Sequence, residues 1–157
     1  MIKIKLQKQS TGYSCGPASL KMALSHFGID ESEENLIKLT GAKEGYGCHP
    51  KDIVRASKAL GIKARYIETS SIDEIRQYLN YHHSLIVDWF SPTANGHYSM
   101  VVDLDGEYIT LADPEIGDLR KLEIKDFLNH WFELDNYPPQ DTKNFYLREL
   151  IIIDKNH

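Results

Sequence analysis

The sequence predicts an α+β fold in which an N-terminal helical half packs on a C-terminal antiparallel sheet. Three observations predict it. Apolar residues recur at helical spacing through the first half of the chain. Runs rich in β-branched and aromatic residues dominate the second half, as in 84–90 and 97–104. Between two such runs, Asp105–Gly106 is a strong hairpin signal. Helices first and strands after is the order expected when the two layers are segregated.

Each element has its own warrant. Residues 2–6 alternate Ile2, Ile4 and Leu6, as a short strand does. The loop "KQSTGYS" leads to a helix over 15–27, with Pro17 in its first turn, Leu20, Leu24 and Phe27 on one face, and Gly28 as its stop. "DESEENLIKLTG" reads as a second helix, started by acids and ended before Gly41. "CHPKDIVRASKALG" reads as a third, with Pro50 at its first position, Ile53, Ala56 and Leu60 as its apolar stripe, and Gly61 at its end. Residues 62–67 form a strand. "SIDEIRQYLN" is a fourth helix, with Ser71 and Glu74 placed as a capping box. Strands follow at 84–90, 97–104 and 107–113, then a short helix around 124–131 and a buried closing strand over 145–154.

At 157 residues the chain fits a single domain spanning 1–157, with a sizeable core. Its net charge of -5 argues against nucleic acid or anionic membrane as partners, since both demand basic patches. No apolar run approaches the ~20 residues of a membrane helix, so no membrane insertion is expected. "MIKIKLQKQ" has no apolar core for a secretory signal, so a cytoplasmic location with free thiols is expected for Cys15 and Cys48.

The chemistry centres on "SCGPASLKMALSHFG", where Cys15 opens the first helix. A thiolate is the nucleophile, and a helix N-terminus, with partial positive charge and unpaired N–H groups, favours ionisation. Gly16 is read as leaving open space beside the sulfur. The competing reading is a small buried hydrophobe, and Cys48 also precedes a helix. His97, after a flexible loop, is the natural base for such a thiol. Six other histidines compete; His82 and His83 sit at a predicted helix end, and His26, His130 and His157 have no evident chemical neighbour.

Asp113, in "TLADPEIG", is placed near His97 by the hairpin. With a two-residue turn Leu104 faces Glu107, and Asp113 faces Tyr98, one step from His97. Strict alternation then puts Asp113 and His97 on opposite faces, so a bulge or a longer loop is required if they are to meet. Gln9, six residues before Cys15, offers an amide donor for a developing oxyanion, with the Cys15 N–H as the second. Zinc held by Cys15, Cys48, His49 and His97 is disfavoured by spacing, and "DLDGE" lacks the frame of a calcium loop; neither metal nor cofactor is expected.

Together, "QSTGYSCGPASLKMAL", "GHYSMVV" and "LADP", with "GCHPKDIVRASKALGIKARYI" between them, resemble the papain-like peptidases that process bacteriocin precursors. The likeness covers roughly residues 5–135. It implies a papain-like fold and a cysteine peptidase that cuts leader peptides after a double glycine. By match of motifs it assigns Cys15 as nucleophile, His97 as base, Asp113 as its orienting partner and Gln9 as oxyanion donor. Such domains usually begin ATP-driven peptide exporters. This sequence carries no transporter parts, so a peptide or protein substrate, and a separate exporter as partner, are the expectation. Acyl transfer through the same thioester, or a non-catalytic peptide-binding module, are the alternatives. Tyr13, Tyr46, Trp89 and Phe90 are available to narrow a cleft around small residues.

Overall fold

The computed structural model describes residues 1–79, 83–135 and 141–155. His82, His157 and the Tyr137–Gln140 stretch lie outside the described residues. In chain order the elements are α1 (Cys15–His26), α2 (Glu33–Thr40), α3 (Pro50–Ala59), β1 (Lys63–Ile67), α4 (Ile72–Tyr78), β2 (His83–Trp89), β3 (His97–Leu104), β4 (Tyr108–Asp113), β5 (Asp118–Glu123), α5 (Ile124–His130), β6 (Phe132–Leu134), β7 (Phe145–Leu147) and β8 (Leu150–Asp154). None of the described helices is long and apolar enough to cross a membrane.

The local signals act as their chemistry dictates. Ser32 Oγ accepts the Asn35 N–H at the start of α2, and Gly41 ends it in the left-handed region. Pro50 stands in the first turn of α3, capped reciprocally by His49 and Asp52. Ser71 Oγ accepts the Glu74 N–H at the start of α4.

Six strands form one antiparallel sheet in the order β1-β8-β2-β3-β4-β5. Both faces are covered. Met100, Val102, Ala112, Ile151 and Ile153 face the core under α1, α2 and α3. Val101, Leu111, Val87, Leu150 and Ile152 face a second core with Ile75, Phe127 and Trp131. The helical half thus lies on one face, while α4 and α5 close the other.

The structure departs from the sequence reading in four places. Residues 2–6 form no strand: the Ile2 N–H donates to Val102 O, and Ile2 and Ile4 lie against the first core. β3 already has β2 and β4 on its two sides, so no ladder is open to them. β5 escapes the sequence reading because "DLRKLE" is charged and mostly exposed, as suits an edge strand. The predicted turn at Asp105–Gly106 is wider than two residues, since Leu104 faces Ile109 rather than Glu107. Asp105 Oδ1 holds it by accepting the N–H groups of Glu107 and Tyr108.

The fourth departure is the strand expected over 145–154. It breaks at Arg148, whose φ is 52°, into β7, paired with β6, and β8, inserted between β1 and β2. Trp131 holds the break from both sides: its carbonyl accepts the Arg148 N–H at 3.1 Å, and its Nε1–H donates to Glu149 O at 2.9 Å. Trp131 is fully buried. Trp131→Phe should therefore cost about 1–3 kcal/mol, because the buried Glu149 carbonyl loses its donor, and Trp131→Ala about 3–5 kcal/mol. Urea unfolding of the two variants measures this; equal costs would show that the indole N–H holds nothing.

Candidate active site

Cys15 is the first residue of α1, and its surroundings leave the helix start open. Ser14, the N-cap, makes no side-chain cap; its hydroxyl donates instead to Glu33 Oε1 at 2.7 Å. Pro17 has no N–H, and the Ala18 N–H is the first to be used, on Ser14 O. The N–H groups of Cys15 and Gly16 therefore sit at the helix mouth without an intrahelical acceptor, where the macrodipole is positive. Glu33, nearly buried on α2, also accepts from the Ser10 N–H and Oγ–H, so it ties the loop before Cys15 to the helical half. Nothing in the sequence pattern marked this role.

Gly16 does not leave open space, contrary to the sequence reading. A Cβ there would lie 2.5 Å from Cys48 Sγ and 3.3 Å from a Tyr98 ring carbon. The glycine lets α1 close onto Cys48 and β3.

His97 and Asp113 meet because β3 is irregular. Near the turn Leu104 faces Ile109 and Asp103 faces Thr110; beyond it Val101 faces Leu111 and Met100 faces Ala112. One residue, Val102, is extra on β3. Without it, His97 and Asp113 would project from opposite faces; with it, they share one. His97 Nε2 then lies 2.5 Å from Asp113 Oδ1. The carboxylate also accepts the Glu115 N–H at 3.0 Å on Oδ1 and the Arg120 Nε–H at 2.7 Å on Oδ2. Arg120 comes from β5, the strand the sequence reading lacks. On the same side Trp89 is buried, its ring centroid 6.2 Å from that of His97 and its Nε1–H donating to Ser99 Oγ.

With Nε2 committed to Asp113, Nδ1 is the His97 nitrogen left to face Cys15, which is near enough to act on the charge of the ring. Burial alone would lower the pKa of His97. Hydrogen bonds to Asp113 and Cys15, with the negative charge they carry, outweigh it and raise the value to about 9. Burial pushes Asp113 the other way, yet bonds to His97, the Glu115 N–H and Arg120 hold it below its ordinary value. The Cys48 thiol is pushed well up by burial, reinforced by the charges of Cys15, Asp52 and Asp88.

The four residues singled out from the sequence do not converge equally. His97 and Asp113 are bonded directly, and Cys15 is a neighbour of His97. Gln9 is anchored beside them, its N–H donating to Pro114 O at 2.7 Å. Its amide nitrogen donates to Thr11 O at 2.8 Å, which leaves one N–H of that amide. Cys15, Cys48, His49 and His97 do not gather as a ligand set. Among the described residues, His97, Asp113 and Glu115 do, and there the Arg120 guanidinium supplies the positive charge, with Nη2 3.9 Å from Glu115.

Cys15 opens on a cleft of about 700 Å³. Its lining comes from Gly12, Tyr13, Gly45–Gly47 and the Cys48–Lys51 start of α3 in the helical half, and from Tyr66, Glu68, Asp88, Asn95, Gly96, Tyr98, Glu133–Asp135, Tyr146 and Glu149 in the sheet half. Tyr13 and Tyr46 line it as expected. Trp89 and Phe90 do not: Trp89 alternates to the face opposite Asp88, and Phe90 stacks on Phe132.

This geometry agrees with what the chain is similar to. The model of the Peptidase C39 family matches residues 3–134, and the chain belongs to that family. It is 34% identical over 113 residues to an uncharacterized protein of Methanothermobacter marburgensis, covering 72% of this chain and 73% of that one. It is 25% identical over 120 residues to the sublancin-168-processing and transport ATP-binding protein of Bacillus subtilis, covering 76% of this chain but only 17% of the transporter. Among solved structures, the peptidase domain of Streptococcus ComA, a bifunctional ABC transporter, superposes with a TM-score of 0.77 at 20% identity, over 99% of this chain and all of that one. A double glycine motif protease from an AMS/PCAT transporter, solved with its leader peptide, gives 0.76 at 17% identity, over 99% of this chain and 94% of that one. The fold is the papain-like α+β fold of these domains.

The contact between Gly16 and Cys48 has a measurable consequence. Gly16→Ala should destabilise by about 1–3 kcal/mol through overpacking. Cys48→Ala in the same chain should recover most of the loss, since it removes the nearest atom. Thermal denaturation of the two single variants and the double one tests the coupling; strictly additive losses would rule it out.

Proposed function

We propose that the protein is a cysteine peptidase that cleaves an extended peptide after small residues of the Gly-Gly kind, acting as one domain over its 157 residues. One observation carries the reading: Cys15 stands at an uncapped helix mouth beside a histidine that a buried carboxylate holds charged. In this mechanism the Cys15 thiolate attacks the scissile carbonyl carbon. The negative oxygen that forms is met by the Cys15 N–H and the remaining N–H of the Gln9 amide. As the C–N bond breaks, His97 gives its Nδ1 proton to the leaving amine, and the acyl group stays on sulfur. Neutral His97 then takes a proton from water, the resulting hydroxide attacks the thioester, and the thiolate leaves. Asp113 fixes the ring and stays ionised throughout, held by Arg120.

The rings of Tyr13 and Tyr46, with the glycine-rich stretch Gly45–Gly47, support a narrow slot that admits glycine and excludes branched side chains. The family and the double-glycine proteases among its structural neighbours support the same substrate class. A separate peptide exporter as partner accords with the transporters to which the chain is similar.

Four fluorogenic peptides, ending Gly-Gly, Gly-Ala, Phe-Arg and Leu-Val, test the reading under reducing conditions. The first two should be cleaved fastest and Cys15→Ala should abolish cleavage. His97→Ala should reduce turnover about 10²–10⁴-fold, and Asp113→Asn less. Faster cleavage of the Phe-Arg peptide would contradict the small-residue slot; iodoacetamide labelling of Cys48 ahead of Cys15 would contradict the choice of nucleophile.

A further inference from the structure

We propose that the cleft beside Cys15 holds a cationic side chain of the substrate, a lysine or arginine within a few residues of the scissile bond, with Asp88 as the floor of that subsite. The proposal deepens the reading of the protein as a peptidase and rests on it. The cleft is strongly polarised. Glu68, Asp88, Glu133, Asp135 and Glu149 line it from the sheet half, while Lys51 and His49, at the start of α3, are the basic residues among those described around it.

Asp88 is the least ordinary of these carboxyls. It lies on the central strand β2, opposite Tyr98, and points to the face on which Cys15 sits. Only 4% of it is exposed, and its Oδ1 has no hydrogen-bond partner among the described residues. A buried carboxylate oxygen without a donor costs about 1–3 kcal/mol or more, so such an atom at a cleft floor calls for a ligand that donates. Its other neighbours are acids too: Glu133 and Glu149 each share a hydrogen bond with the Asp88 carboxyl, which needs a proton held among them and leaves Oδ1 without a donor. Burial, with Glu133 and Glu149 beside it and the Cys15 sulfur near, raises Asp88 well above the carboxylate range. Burial and the charges of Glu68, Glu133 and Asp135 likewise raise Glu149 to about 7. A cation entering among them satisfies the free oxygen and removes the repulsion together.

The walls fit a guanidinium or an alkylammonium stem. Tyr66 and Tyr146 bring aromatic rings to the lining beside the buried Tyr98, and the hydroxyls of two are already spent: Tyr98 on Cys48 O at 3.0 Å and Tyr146 on Asp135 Oδ2 at 2.6 Å. Gly96, with φ of 59°, lets the Glu133 carboxylate approach the backbone just before His97, where a Cβ would overlap it. That close approach places the Glu133 carboxyl on the His97 side of the cleft.

The test scans arginine, lysine, leucine and glutamate through the four positions before and the two after the scissile bond of a Gly-Gly peptide. At one position arginine and lysine should raise kcat/KM about tenfold over leucine, with glutamate worst. Asp88→Asn, and separately Glu149→Gln, should bring the arginine-to-leucine ratio towards one. The preference should strengthen as pH rises through about 7, because the cation needs the ionised carboxylates. The same peptides, labelled, are titrated by fluorescence anisotropy into the Cys15→Ala protein, where no turnover is needed. If no peptide is cleaved yet arginine still tightens binding through Asp88, the peptidase reading fails and the cationic subsite stands. Ratios near one at every position in both measurements, or a preference for leucine or glutamate, would overturn the subsite.

Discussion

The contact between His97 and Asp113 depends on a single extra residue in β3, and the site depends on that contact. An antiparallel pair in strict register alternates its side chains, so one residue decides whether two groups share a face. The bulge at Val102 makes that decision here. It also leaves the Val102 carbonyl to accept the Ile2 N–H, which draws the N-terminal segment across the strand pair. That segment leads to Gln9, tied to Pro114, and then to Cys15. One irregularity thus aligns His97 with Asp113 and helps bring the Cys15 loop alongside both.

Charge is divided across the site by burial and partners rather than by composition. On the side of His97, each buried carboxylate oxygen of Asp113 has a donor, and the Arg120 guanidinium completes the set. That arrangement keeps an acid ionised and a histidine protonated in a dry setting. In the cleft, Asp88, Glu133 and Glu149 have mainly one another, and the shift runs the opposite way. The same residue type is therefore held below its ordinary value in one place and well above it in the other. Cys48 shows the parallel contrast between the thiols: it packs against Gly16 and is pushed towards its neutral form, whereas Cys15 faces an imidazolium.

Much of this was legible in the sequence. The first and third helices carried an apolar period, an early proline and a glycine stop, the second an acidic start and a glycine stop, and β2, β3 and β4 carried β-branched runs; these agree with the structure within about three residues. The hairpin arithmetic also showed that an irregularity was required if His97 and Asp113 were to meet, although nothing in "HYSMVVDL" points to Val102 as its location. What was not legible has physical causes. β5 is an exposed, charged edge strand whose residue Arg120 acts only through tertiary contact. Arg148 breaks an apolar run because Trp131 grips the backbone on each side of it. Glu33 anchors the Cys15 loop from a helix that reads as merely acidic. The aromatic residues of β2 and β3 fell on either side of the sheet by alternation, so Trp89 went beneath His97 and Tyr98 lined the cleft instead.

Everything at the site turns on Asp113 holding His97 as an imidazolium beside the Cys15 sulfur. The direct measurement is an NMR titration of the His97 ring nitrogens in the intact protein and in Asp113→Asn. The account predicts a pKa near 9 in the first and a lower value in the second, since the carboxylate that favours the charged ring is gone. A His97 that titrates near the ordinary 6.5 of a free imidazole, unchanged by the substitution, would contradict it.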